Sequence, residues 1–230
     1  MKAKGVIALG ALVASATALT GCGFVGTGTA EGEKTETYVV SEKVAGLAVD
    51  SGSGDIVVNE TDRTGIKVTE QRHWRDHEPE TSHEVAGDTL ELSYRCMQND
   101  SCWVDYTIEI PKGLRVKTDA GSGDVSLRSL SGETEATTGS GDIDANGLVG
   151  KRVLAETGSG RLELRFAAAP DSVEMKAGSG DATLYLPKDA YDVTTETGSG
   201  DAEVKVTDDA GSSRKVTVRT GSGDVRVLPL

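Results

Sequence analysis

Gly-Ser-Gly occurs seven times in this chain, starting at Gly52, Gly121, Gly139, Gly158, Gly178, Gly198 and Gly221, and six of the copies are followed by Asp. From the second copy onward the starts are 18, 19, 20, 20 and 23 residues apart. A short, near-constant period signals a repeat architecture, in which each unit buries its apolar face only against its neighbours.

The flanks of each copy alternate strictly. Val173, Met175 and Ala177 precede Gly178 with Glu174 and Lys176 between them, and Ala182, Leu184 and Leu186 follow Asp181. Val153, Ala155 and Thr157 lead to Leu162, Leu164 and Phe166, and Val193, Thr195 and Thr197 lead to Ala202, Val204 and Val206, on the same parity. Alternation over five or six residues describes a strand with one buried face. Each unit therefore reads as strand, Gly-Ser-Gly turn, strand, second turn.

Two all-β folds satisfy this pattern. One is a repeat β-solenoid with two short strands per coil of about 20 residues. The other is an antiparallel meander or sandwich, with Gly-Ser as a two-residue hairpin turn. A hairpin turn of that type needs only its first Gly, yet the second is present in every copy. Its presence points to backbone stacked tightly on backbone, and so to the solenoid. In sequence order the stack would set Asp181 beside Asp201 and Arg161.

Residues 1–21 read as a lipoprotein signal peptide. Lys2 and Lys4 form its positive start, Val6 to Leu19 is an apolar run too short to span a bilayer comfortably, and Leu19-Thr20-Gly21-Cys22 closes it. Cys22 is the expected lipidation site, with two or more acyl chains such as palmitate giving stable anchoring. Residues 22–37 read as a flexible tether, rich in Gly, Thr and Glu, and residues 38–230 as the folded domain. The expected location is the extracytoplasmic face of the cell membrane, with the lipid as the membrane contact.

The formal charge of −13 becomes −15 once Lys2 and Lys4 are removed. Such acidity argues against nucleic acid as a partner. Only 4% of residues are aromatic, so the expected core is thin, as in a narrow stack.

The first and second copies start 69 residues apart, and the irregular insert at 71–106 is chemically distinct. It holds Trp74 and Trp103, the three histidines His73, His77 and His83, and the two cysteines besides Cys22. Cys96 and Cys102 fall on matching faces of two strands and are expected to form a disulfide across a hairpin loop outside the cytoplasm. Gln71 to Pro79 is polar throughout and reads as a solvated loop, not a zinc site.

No nucleophile elbow, dinucleotide fingerprint or P-loop occurs. No catalytic residue, cofactor or metal site is therefore assigned. Asp55, Asp124, Asp142, Asp181, Asp201 and Asp224 share one repeat position, with Arg161 there in the fourth copy. Carboxylates stacked ~5 Å apart repel by roughly 1 kcal/mol. Each Asp is expected to cap its own turn, in preference to forming a cation ladder. Because Trp and Arg dominate binding hot spots, Trp103, Trp74, Arg72, Arg75 and Arg95 are the candidate contacts for an envelope or surface partner. Trp103 has the parity of an outward residue; a cap that closes one end of the stack is the competing role for the insert.

Gly54-Asp55-Ile56-Val57-Val58, Ile108-Glu109-Ile110-Pro111-Lys112-Gly113 and the recurring Ser-Gly-Asp units resemble, as an ordered set over residues 38–230, the bacterial putative-adhesin family of unknown function with β-strand repeats. That resemblance implies an exported β-solenoid without catalytic residues. The expected function is a non-catalytic surface lipoprotein for adhesion, scaffolding or envelope sensing. The alternative is a carbohydrate-active β-helix enzyme such as a polysaccharide lyase, disfavoured by the short coils and the absence of long loops after residue 114.

Overall fold

The computed structural model describes residues 32–230. These residues form twenty strands in two 10-stranded sheets. The expected signal peptide and the lipidation site at Cys22 lie outside the described residues.

The Gly-Ser-Gly units each place one strand in either sheet. They are β2 (Gly46–Ser53) with β3 (Ile56–Glu60), β8 (Arg115–Ser122) with β9 (Val125–Arg128), and β10 (Thr134–Ser140) with β11 (Ile143–Leu148). There follow β12 (Arg152–Ser159) with β13 (Leu162–Phe166), β14 (Ser172–Ser179) with β15 (Ala182–Leu186), β16 (Ala190–Thr197) with β17 (Ala202–Val204), and β19 (Lys215–Ser222) with β20 (Val225–Pro229). Pairing between neighbouring units is parallel, which a meander does not produce. The array is β-solenoid-like, with the Gly-Ser-Gly phrase at the corner between the sheets.

The corner explains both glycines. Ser122, Ser140, Ser159 and Ser179 stack in register. A Cβ on Gly139 would lie 2.6 Å from the Gly121 carbonyl oxygen. Gly141 has φ +151°, and a Cβ there would lie 2.1 Å from the Gly123 oxygen. Backbone does pack on backbone at this corner, and only glycine allows it.

The alternating residues fill a thin core. Val116, Ala136, Val153, Val173 and Val216 line one inner face, and Val125, Ile143, Leu162, Ala182 and Val225 the other, all buried. Thr138, Thr157 and Thr220 also point inward, and each hydroxyl donates to a glycine carbonyl of the adjacent coil at 2.9–3.1 Å. The buried hydroxyl is thereby satisfied without water.

The order of units along the stack departs from sequence order at both ends. β6 (Thr89–Arg95) and β7 (Cys102–Ile110) form an additional coil outside β2 and β3. At the far end β19 and β20 slot between β14/β15 and β16/β17. Asp181 therefore neighbours Asp224, and Asp201 lies beyond it, which corrects the expected contact between Asp181 and Asp201. The coil with the more apolar inward residues, Val216, Val218, Val225 and Val227, takes the interior slot; the one with Thr195, Thr197 and Ala202 is left outside.

The outer end of the β6/β7 coil is closed by antiparallel strands: β1 (Gly32–Val40) on β4 (Ile66–Trp74), β4 on β7, and β5 (Glu80–Ala86) on β6. Two sequence expectations change here. Gly32 to Thr37, read as tether, belong to β1. Gln71 to Trp74, read as loop, complete β4, because pairing to β1 and β7 on both sides satisfies the backbone of a polar segment.

Candidate functional site

The expected disulfide forms between Cys96 and Cys102, but not across a hairpin. β6 and β7 belong to different sheets, so the bridge staples a corner. Its loop occupies the place that Gly-Ser-Gly occupies in other coils, since Tyr106 pairs with Ile56 and Asp105 therefore stands beside Asp55.

The Asp column is a hydrogen-bonded ladder. The amide of Asp55 donates to Asp105 Oδ1 at 2.8 Å, Asp124 to Asp55 at 2.9 Å, Asp142 to Asp124 at 2.8 Å and Arg161 to Asp142 at 2.7 Å. Beyond Arg161, Asp224 donates to Asp181 at 2.9 Å and Asp201 to Asp224 at 3.0 Å. Every carboxylate of the ladder except the outermost, Asp201, thus caps the neighbouring coil rather than its own turn, which corrects the local capping expected from sequence. Arginines offset the repulsion: Arg161 reaches Asp142 at 3.0 Å and Arg226 reaches Asp224 at 2.6 Å. Asp105 is a ladder member that the repeat phrase does not mark. Its one signal is position, immediately before Tyr106 as Asp55 is before Ile56.

The candidate contact residues separate into different places. Arg72 faces the interior. It bonds Glu70 at 2.7 Å, Glu36 at 2.9 Å and Glu78 at 2.9 Å. Glu70 is fully buried and also accepts from the Tyr38 hydroxyl at 2.7 Å. Burial and that bond to Glu70 push the Tyr38 phenol well above its ordinary range, and burial then the Glu70 charge do the same for Tyr106. Arg72 is therefore a structural cation that closes the stack, and its assignment as a partner contact is overturned. Arg95 ends β6 opposite Glu80 and does not line the cleft that gathers the tryptophans.

Trp103, Trp74 and Arg75 do come together, with His73, Glu33 and Ser101, around a cleft of about 350 Å³. Trp103 is 42% exposed on the outer face of β7. His73 lies beside it on β4, and the two rings stack with centroids 4.7 Å apart and planes 9° apart. The edge of the His73 ring is held by Asp105, 3.2 Å from Nε2. The Trp74 indole packs on Gly32, occupying the place where a Cβ would fall, 2.0 Å away, so a larger residue there would have to displace the indole. Arg75 is held through its amide to the Ser101 carbonyl at 3.0 Å.

The three histidines do not converge. His77 sits 3.3 Å from Asp100, whose carboxylate also takes the amides of Asp76 and His77, and His83 packs on Tyr38 in the other sheet with centroids 4.4 Å apart. A wider groove of about 500 Å³ crosses the outer face of the second sheet past Arg115, Lys117, Glu135 and Arg152. Its charges largely neutralise one another, as in Lys117–Glu135 at 2.8 Å, and it has no aromatic anchor.

Similarity to one solved structure supports the fold. A "putative cell adhesion protein" from Clostridium sporogenes ATCC 15579 is 16% identical with a TM-score of 0.53, covering 86% of this chain and 100% of its own. A "putative adhesin" from Bacteroides fragilis NCTC 9343 is 14% identical with a TM-score of 0.47, covering 86% and 97%. No curated protein matches the chain. The family model described as Toastrack DUF4097 matches residues 15–228, and with the repeat stack behind it the chain belongs to the Toastrack DUF4097 family.

Proposed function

We propose that this protein is a non-catalytic lipoprotein of the cell envelope, held by acylated Cys22, whose β-solenoid stack of two short strands per coil presents the Trp103 cleft to a surface partner. The single observation that carries this reading is the exposed Trp103 ring stacked on His73 beside Trp74 and Arg75. Tryptophan and arginine around a shallow cleft are the residues that dominate binding energy where surfaces meet. The C. sporogenes structure, a "putative cell adhesion protein", agrees with a surface role.

The outward position of Trp103 supplies the test. Trp103→Ala removes no core contact, so its melting temperature should stay within a few degrees of the parent. Retention on isolated cell envelope should fall by about tenfold, the loss of one hot-spot side chain. Full retention by a folded Trp103→Ala protein would overturn the reading. A large fall in stability would instead assign Trp103 to closing the stack.

A further inference from the structure

The β16/β17 end of the stack is built like an interior coil but has no coil beyond it among the described residues. Ala182 and Val225 are fully buried, whereas Ala202, in register with them, is exposed. Leu184 and Val227 are fully buried, while Val204 beside them is 39% exposed. Val193 and Val206 are only partly buried.

One short segment guards part of this edge. β18 (Thr207–Asp208) pairs with Ala190 and Tyr191. The Asp208 carboxylate takes the Val193 amide at 3.0 Å, and the Asp209 amide bonds the Tyr191 carbonyl at 2.7 Å. Past Val193, β16 has a strand on one side only. The Val193 amide points to the open side, and in a parallel ladder the Thr195 amide, two residues on, points the same way. An edge with unpaired backbone groups and half-covered apolar side chains is a template for strand addition.

The other side of β16 shows which strand fits it. There β19 runs parallel, with Lys215 opposite Asp192, Val216 opposite Val193, Val218 opposite Thr195 and Arg219 opposite Glu196. Lys215 bonds Asp192, and Arg219 bonds Glu196 at 3.0 Å. A strand with the same alternation, added on the open side, would lay apolar residues over Val193 and Thr195 and cations along the outer row. Asp201, Asp208 and Asp209 rim this end and make it acidic. A second copy of the chain meets it poorly, because Glu33, Glu80 and Glu84 rim the opposite end.

We propose that the β16/β17 edge docks an extended segment of another protein in which Lys or Arg alternates with small apolar residues, added as a further parallel strand. The site is remote from the Trp103 cleft and does not depend on its role.

The probe is a fluorescent peptide with the sequence of residues 214–220, Arg-Lys-Val-Thr-Val-Arg-Thr, titrated into the full chain by anisotropy. Saturable binding should weaken as salt rises, and a counterpart with Glu at the three cationic positions should bind at least about tenfold more weakly. Thr195→Pro removes only the amide facing the open side, which an edge strand tolerates, and should reduce binding by about tenfold. Val204→Lys, a charge placed at the edge, should act in the same direction while the β16–β19 ladder stays intact by hydrogen exchange. Four results would overturn the proposal: no binding by the full chain, equal binding of the two peptides, unchanged binding by folded Thr195→Pro, or self-association of the chain that the cationic peptide does not compete with.

Discussion

The two ends of the stack solve the same problem differently. At the β1/β5 end, strands reverse direction, a disulfide staples the corner, and Arg72 with Glu70, Glu36 and Glu78 plugs the core. At the β16/β17 end the repeat simply stops among the described residues, with Val204 and Ala202 uncovered and the two residues of β18 as the only guard there. A repeat presents the same face above and below, so repetition alone never terminates an array; closure needs non-repeat sequence. That is the physical reason the insert abandons the repeat pattern that the coils keep.

The largest expected effect breaks the closed end. Arg72→Ala leaves the fully buried Glu70 without its cation and should lower stability by about 3–5 kcal/mol in urea unfolding. Thr195→Ala, an inward polar residue at the open end, should stay within about 0.5 kcal/mol. Similar losses from both would mean that the ends are energetically equivalent.

A matched pair of glycines sharpens the contrast. A Cβ on Gly141 and one on Gly200 would each lie 2.1 Å from the carbonyl oxygen of the neighbouring coil, at φ +151° and +138°. The clash is the same, yet Gly141→Ala lies within the stack and should cost about 3 kcal/mol of global stability. Gly200→Ala should be relieved by fraying of β16 and β17, seen as faster hydrogen exchange confined to those strands. Equal global losses would show that the outer coil is as firmly held as the inner ones.

The smallest effect concerns the stapled corner. The Cys96–Cys102 loop is short, so replacing both cysteines by Ala should cost only about 2 kcal/mol. Exchange should rise first in β6 and β7, and an increase spread over the Gly-Ser-Gly coils instead would contradict a local staple.

Legibility followed the same division. In the coils, the phrase itself specified the register: every second Gly marks a backbone contact, and the parity around it names the buried residues, as for Met175, Leu184 and Val153. The order of coils was not legible, because units with the same pattern are interchangeable to any periodicity argument. A cue existed in the greater apolarity of Val216, Val218, Val225 and Val227, which favours the interior slot. At the closed end the polar run Gln71–Trp74 hid a strand, since its stability comes from pairing with β1 and β7 and from the ion pairs of Arg72. In the cleft, Trp103 was identifiable by parity, but its His73 partner depends on an antiparallel register that no local pattern encodes.

The slot occupied by β19 and β20 bears on the sequence of events during synthesis. A chain threaded outward from its N-terminus emits β16 and β17 before the coil that belongs inside them. Until residue 215 appears, β14 and β15 offer their edges to β16 and β17, whose Asp192 to Thr197 carries the same alternation as the rightful occupant. The emerging chain therefore either keeps that coil at a distance or docks it one place too early and displaces it later. On the second route, assembly of this end becomes a late exchange between strands that compete for one vacancy, while on either route the coils from β8 to β15 can add one after another as they emerge.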